Sequence, residues 1–162
     1  MNKKIINLGL VIDRSGSVEN EKYILNKSIE LLIESISRKY SKIINFDIVI
    51  GIYGGEDDLI LPLIKEENII IKKEENKNIF ESIFSISKVL LSKEGEKIII
   101  LFSDGYYRDE NWREIFLKIQ EENLKHIKRV AVGIGEGFYE ESLELFSSNK
   151  EVFKCEDIYE LL

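Results

Sequence analysis

The chain has 162 residues, 44% of them hydrophobic and 33% charged, enough for one domain with a full core and too few for two. Asp and Glu (30) outnumber Lys and Arg (23), for a net charge of −7. That balance argues against nonspecific nucleic-acid binding, which needs clustered cations, and against docking on anionic lipid.

The first apolar run, residues 5–12, follows Met1-Asn2-Lys3-Lys4 and superficially has the form of a signal peptide. It is short, it runs into Asp13-Arg14 and no small-residue cleavage site follows, so it reads as a buried first strand. Leu25, Ile29, Leu32, Ile36 and Tyr40 then fall on one stripe of a long helix, with Asn20 a suitable N-cap. A second strand is expected from Phe46 to Tyr53, and Glu56-Asp57-Asp58 after it reads as a solvated acidic turn. The segment Leu59 to Leu63 is expected to be a short antiparallel edge strand, because Pro62 cannot donate a ladder hydrogen bond.

Ile79, Ile83, Ile86 and Leu90 mark a second helix, Ile98 to Phe102 a strand, and Trp112, Ile115, Phe116 and Ile119 a third helix. Val130 to Ile134 is a further strand, Tyr139 to Phe146 a shorter helix, Phe153 the centre of a last strand, and 157–162 a brief terminal helix. The main apolar runs lack in/out alternation, which marks strands covered on both faces of a parallel sheet. The class expected is therefore α/β: a single domain over 1–162, doubly wound, with a mostly parallel central sheet flanked by helices. Cys155 is the only cysteine, so no intrachain disulfide can form and a cytoplasmic setting is expected. No stretch approaches membrane-spanning length.

In such sheets ligands gather beyond the carboxyl ends of the strands. Asp13-Arg14-Ser15-Gly16-Ser17 stands at that end of the first strand, and Ser103-Asp104-Gly105 at the same end of strand 98–102. One carboxylate and two hydroxyls within five residues are hard oxygen donors, suited to Mg²⁺, Mn²⁺ or Ca²⁺ and not to zinc or copper. A helix-capping turn would also use Asp and Ser. The pairing with a second aspartate at a neighbouring strand end favours a ligand site, and Asp104 lies several residues too early to cap the helix that follows.

Other features carry less. Gly133, Gly135 and Gly137 lack dinucleotide spacing and fall on a late strand. His126 lies among Lys125, Lys128 and Arg129 with no carboxylate or cysteine partner at a useful spacing, and Cys155 lacks a nucleophile pattern.

Taken together, Asp13, Ser15 and Ser17, with Asp104 in Phe102-Ser103-Asp104-Gly105, resemble the metal-ion-dependent adhesion site of a von Willebrand factor A (VWA) domain. The resemblance spans essentially the entire chain, including Val132-Gly133-Ile134-Gly135 and the ending Val152 to Asp157. Asp104-Gly105, Asp109 and Trp112 are most similar to a loop of the bacterial intracellular VWA proteins of tellurite-resistance and stress operons. The prolines and threonines of that loop are absent here.

The resemblance implies a non-enzymatic, protein-binding module. A bound Mg²⁺, Mn²⁺ or Ca²⁺ would be held by Asp13, Ser15, Ser17 and Asp104, and would capture an acidic side chain of a partner protein. Lys77, Asn78, Tyr106, Tyr107 and Arg108 would form the partner-binding rim; the last three read equally well as an ordinary variable loop.

One departure bears on the metal. The family's threonine ligand aligns with Lys77, whose ammonium cannot coordinate a cation. Either Asn76 or Asn78 supplies an amide oxygen instead, or the Lys77 ammonium itself lies among Asp13 and Asp104. Two further functions stay open: a degenerate metal-free scaffold, and a divalent-metal phosphohydrolase with Asp13 as nucleophile. The latter is disfavoured because Ser15 stands where a second aspartate is needed.

Overall fold

The computed structural model describes residues 3–13, 22–40, 42–53, 69–74, 79–122 and 124–157. Six strands form one sheet: β1 (Lys4–Asp13), β2 (Ile44–Tyr53), β3 (Ile69–Glu74), β4 (Glu96–Ser103), β5 (Lys128–Gly133) and β6 (Val152–Lys154). Four helices accompany them: α1 (Lys22–Tyr40), α2 (Ile79–Leu91), α3 (Trp112–Glu122) and α4 (Glu140–Phe146). The sheet order is β3-β2-β1-β4-β5-β6, and every described pairing is parallel.

The parallel, doubly wound class expected from the unalternated apolar runs is the class observed. In β1 every residue from Ile6 to Asp13 is buried, as a central strand covered on both faces requires. One layer packs Leu8, Leu10 and Ile12 of β1 against Leu25, Ile29, Leu32 and Ile33 of α1. The opposite layer packs Val11, Val49, Ile99 and Leu101 against Ile83, Ile86 and Leu90 of α2, and reaches Phe116 of α3 and Phe146 of α4. Each such side chain contributes roughly 1.5–3 kcal/mol on burial. Gly9 permits the close approach of α2: a Cβ there would lie 2.6 Å from Ile86 Cγ2 and 3.0 Å from Leu90 Cδ1.

The described strand beyond β2 is β3, in register Ile48 with Ile69 to Tyr53 with Glu74, and it is parallel. Antiparallel neighbours can be joined by a two-residue hairpin, whereas a parallel pair needs a crossover of roughly a dozen residues or more, and segment 54–68 is long enough to supply one. The edge strand expected at Leu59 to Leu63 lies outside the described residues, as do the N-cap at Asn20 and residues 158–162 of the terminal helix. Residues 155–157 form a single 3₁₀ turn, and Ser28 Oγ of α1 donates to the Cys155 carbonyl at 2.8 Å, tying the end of β6 to α1.

Chain order reverses direction across the sheet between β1 and β4. The sequence leaves β1 through α1 to β2 on one side, then returns from β3 through α2 to β4 on the other. In doubly wound sheets ligands gather at the carboxyl ends of the strands where the order reverses, here those of β1 and β4.

Candidate metal site at the switch point

Asp13 closes β1 and Ser103 closes β4. The ladder pairs Ile12 with Phe102, so the next residues emerge side by side. Ser103 Oγ donates to Asp13 Oδ2 at 2.9 Å. The same oxygen accepts from the Gly105 amide at 3.1 Å and from the Tyr107 hydroxyl at 3.2 Å. Asp13 is 2% exposed, Ser103 0% and Asp104 7%, so two carboxylates sit at the edge of a dry interior, where charge is expensive without a partner.

Asp104 is placed by backbone. Its carbonyl accepts from Tyr139 N at 2.7 Å, and Ile134 N donates to the Ser103 carbonyl at 3.0 Å, so the segment after β5 clamps the loop after β4. Its Oδ1 accepts from Tyr106 N at 3.0 Å in a local side-chain turn. Gly105 takes φ +79, a left-handed backbone conformation, and its carbonyl accepts from Ser142 Oγ of α4 at 2.6 Å. Among the described residues no cationic side chain pairs with Asp104.

The two tyrosines of the loop part company. Tyr106 is 59% exposed, stacks on Tyr139 at a centroid distance of 5.6 Å and donates its hydroxyl to the Gly137 carbonyl at 2.9 Å. Tyr107 turns inward, against Phe80 at 5.3 Å and Phe116 at 5.5 Å. Burial pushes its phenol well above the ordinary range; the hydrogen bond with Ser103 opposes this, and the charges of Asp13 and Asp104 add to it. Tyr107 is half-buried: its ring packs against the α2–α3 layer and its hydroxyl reaches Ser103, whereas Tyr106 and Arg108 are exposed.

Arg108 is exposed, and Asp109 organises the start of α3, its Oδ1 accepting from Asn111 N at 2.9 Å. Beside Tyr139, Trp112 stands edge-on at 6.0 Å, and Arg113 bridges the Trp112 ring and the Glu141 carboxylate. The Tyr139 hydroxyl and Arg113 both bond Glu141 and hold its carboxyl below the usual range.

Ser15, Ser17, Lys77 and Asn78 lie outside the described residues, as does Asn76. Of the four metal ligands expected from sequence, the structure thus places Asp13 and Asp104 on adjacent strand ends, joined through Ser103 and the backbone that follows it. Ser103 was read only as part of a motif; the signal for its role was its place, level with Asp13 across the ladder. Among the described residues no group of three or more His, Cys, Asp or Glu side chains could hold a metal ion; the donors described at these strand ends are two carboxylates with neighbouring hydroxyl and carbonyl oxygens. That donor chemistry fits a hard divalent ion. No described helix is long and apolar enough to cross a membrane.

No protein-family model and no curated protein matches the sequence. Solved structures do. A pilus adhesin, SpaC of Lactobacillus rhamnosus GG in its open conformation, superposes with TM-score 0.68 at 12% identity, over 99% of this chain and 29% of its own. Proximal thread matrix protein 1 of the mussel byssus, with a zinc-occupied MIDAS motif, gives TM-score 0.60 at 18% identity, over 98% of this chain and 46% of its own. Manganese-loaded TRAP protein of Plasmodium vivax gives TM-score 0.56 at 17% identity, over 88% and 62%. The fold is that of a VWA domain. This chain spans less than two thirds of each of those three proteins. In this VWA fold Asp13 and Asp104 stand at the carboxyl ends of β1 and β4, where the chain order reverses.

Proposed function

We propose that the chain is a protein-binding VWA module in which Asp13 and Asp104, with the hydroxyls of Ser15 and Ser17, hold a divalent cation that captures an acidic side chain of a partner. The observation that carries this reading is the pair of buried carboxylates at adjacent strand ends where the chain reverses direction. Two carboxylates balance a divalent ion, and with neutral hydroxyls as the other ligands a coordination position stays open to a partner's carboxylate oxygen. When bound, the ion supplies a Lewis-acidic position for that partner oxygen.

The chain's own part is geometric. Ser103 holds one oxygen of Asp13, the Tyr106 amide holds one oxygen of Asp104, and exposed Tyr106 and Arg108 stand on the rim for contact with the partner. Rigid aromatic and arginine side chains at a rim are common anchors of protein interfaces. A manganese-loaded structure and a zinc-occupied MIDAS motif among the similar folds support a divalent cation in general, zinc included, and the pilus adhesin among them supports a binding role. We place the module in the cytoplasm, in a stress or tellurite-resistance system, on the loop from Asp104 to Trp112, and assign it no catalytic step.

The test is thermal melting of the full chain with and without Mn²⁺ or Mg²⁺. A cation bound only by the native state adds about 2.7 kcal/mol at a hundredfold excess over Kd, a shift of several degrees. Asp13→Asn is expected to abolish the shift. Unchanged melting of the unsubstituted protein would defeat the reading and favour the metal-free scaffold that Lys77 suggests. If the shift appears, recovery of partners in a pull-down is expected to fall with Asp13→Ala/Ser15→Ala.

A further inference from the structure

The hydrogen atoms around Ser103 can be assigned by counting. Its hydroxyl has one hydrogen and two lone pairs. Gly105 N–H can only donate, and an ionised Asp13 can only accept. The single Ser103 hydrogen therefore goes to Asp13 Oδ2 at 2.9 Å, one lone pair takes the Gly105 amide at 3.1 Å, and the other is left for Tyr107 at 3.2 Å. Ser103 has no second hydrogen to give, so the Tyr107 hydroxyl must donate.

The result is a directed chain, Tyr107 to Ser103 to Asp13, with all three members anchored. Tyr107 is wedged between Phe80 and Phe116, Ser103 is the last residue of β4 and fully buried, and Asp13 is the last residue of β1. The chain is also electrically neutral up to its last member. A lysine or arginine in the place of Ser103 would hold Asp13 equally well, but would cancel the charge a cation needs. A hydroxyl fixes one carboxylate oxygen and adds no charge of its own.

The geometry points to Ser103 and Tyr107 as positioning residues of the cation site: Ser103 sets the Asp13 carboxylate, and Tyr107, packed in the α2–α3 layer, sets Ser103. This rests on the cation reading proposed above and deepens it, because it couples the site to the hydrophobic layer under α2 and α3. Groups standing behind metal ligands commonly govern affinity by tenfold or more when removed. Hydrogen bonds that feed one another strengthen in a low-dielectric surrounding, so the outer member matters although it touches no cation.

The experiment is calorimetric titration of the full chain with Mn²⁺, run beside metal-free melting curves. Ser103→Ala is expected to raise the Mn²⁺ Kd about tenfold or more. Ser103→Thr, which keeps the hydroxyl, should restore affinity to near that of the unsubstituted protein. Tyr107→Phe keeps the ring packed and removes only the donor; a rise in Kd of about threefold is expected. As a control for loss of stability alone, Ile36→Val in α1, far down the opposite layer, should lower the melting temperature and leave the Kd unchanged.

If the unsubstituted protein binds no Mn²⁺, the cation reading falls and this inference falls with it. If it binds, and Ser103→Ala and Tyr107→Phe bind equally well, the positioning role alone is overturned. Failure of Ser103→Thr to recover affinity also overturns it, since the hydroxyl would then not be the acting group.

Discussion

Gly105 shows how little room the site loop has. Its backbone sits at φ +79, and a Cβ built there would lie 2.4 Å from the Tyr139 carbonyl oxygen and 2.8 Å from Ser142 Oγ. Left-handed backbone alone costs a non-glycine residue roughly 1–2 kcal/mol. The collision is with backbone, which cannot swing away as a long side chain can, so Gly105→Ala is expected to cost more than that conformational term. Denaturant unfolding measures it; a loss within a few tenths of a kcal/mol would contradict the geometry. Tyr107 gives a second residue-level expectation. Its folded-state pKa is raised, so the fold favours the neutral phenol. That contribution is fully present below the unfolded value of about 10 and is lost as pH rises above it toward the folded value. The urea midpoint should therefore fall more steeply between about pH 9 and 11 in the unsubstituted protein than in Tyr107→Phe. The adjacent Tyr106 and Tyr107 also mark what the sequence could not separate. Both read as rim residues in a polar loop, and only the packed positions of Phe80 and Phe116 reveal which ring is drawn inward.

Among the elements, those with large apolar faces were legible. β1, β4 and α2 carry long apolar runs or a full helical stripe, because each is pressed between layers, and their observed bounds extend the expected ones by only a few residues. β3 was not foreseen. Only Ile69-Ile70-Ile71 is apolar before Lys72-Lys73-Glu74, the pattern of a strand at the edge of the described sheet and too short to stand out. The register that sets Asp13 beside Ser103 was equally invisible, since it depends on how β1 and β4 pair and not on either strand alone. Phe116 of α3 gathers four rings: Phe80 of α2 at 5.0 Å, Tyr107 at 5.5 Å, Phe146 of α4 at 6.0 Å and Trp112 at 6.3 Å. Phe116→Ala empties the centre of that cluster and is expected to cost about 3–5 kcal/mol. Trp112 is the only tryptophan, so its emission reports on this helix. A red shift in the variant before global unfolding would show that α3 has loosened; unchanged emission together with unchanged stability would show that the cluster does not hold it.

For the whole molecule, charge and topology act on the same spot. The chain carries a net charge of −7, and the direction reversal between β1 and β4 brings two carboxylates to adjacent strand ends with little solvent around them. Self-repulsion of a net-negative fold is long-ranged and relaxed by any salt, because the screening length falls from about 30 Å at 0.01 M to about 10 Å at 0.1 M and 3 Å at 1 M. Sodium chloride alone should therefore raise the urea midpoint gradually over that range, with most of the gain complete by about 0.1 M. A site at the switch point behaves differently. On the proposed reading its cation is held by two inner carboxylates, so stabilisation by Mn²⁺ should saturate at one ion per chain. It should also remain measurable when 0.5 M sodium chloride has already removed the general repulsion, and should vanish in Asp104→Asn, which shifts the net charge by only one unit, from −7 to −6. If the Mn²⁺ effect instead disappears at high sodium chloride, or persists unchanged in Asp104→Asn, the divalent ion is acting on the molecule's overall charge and not on the pair of strand ends.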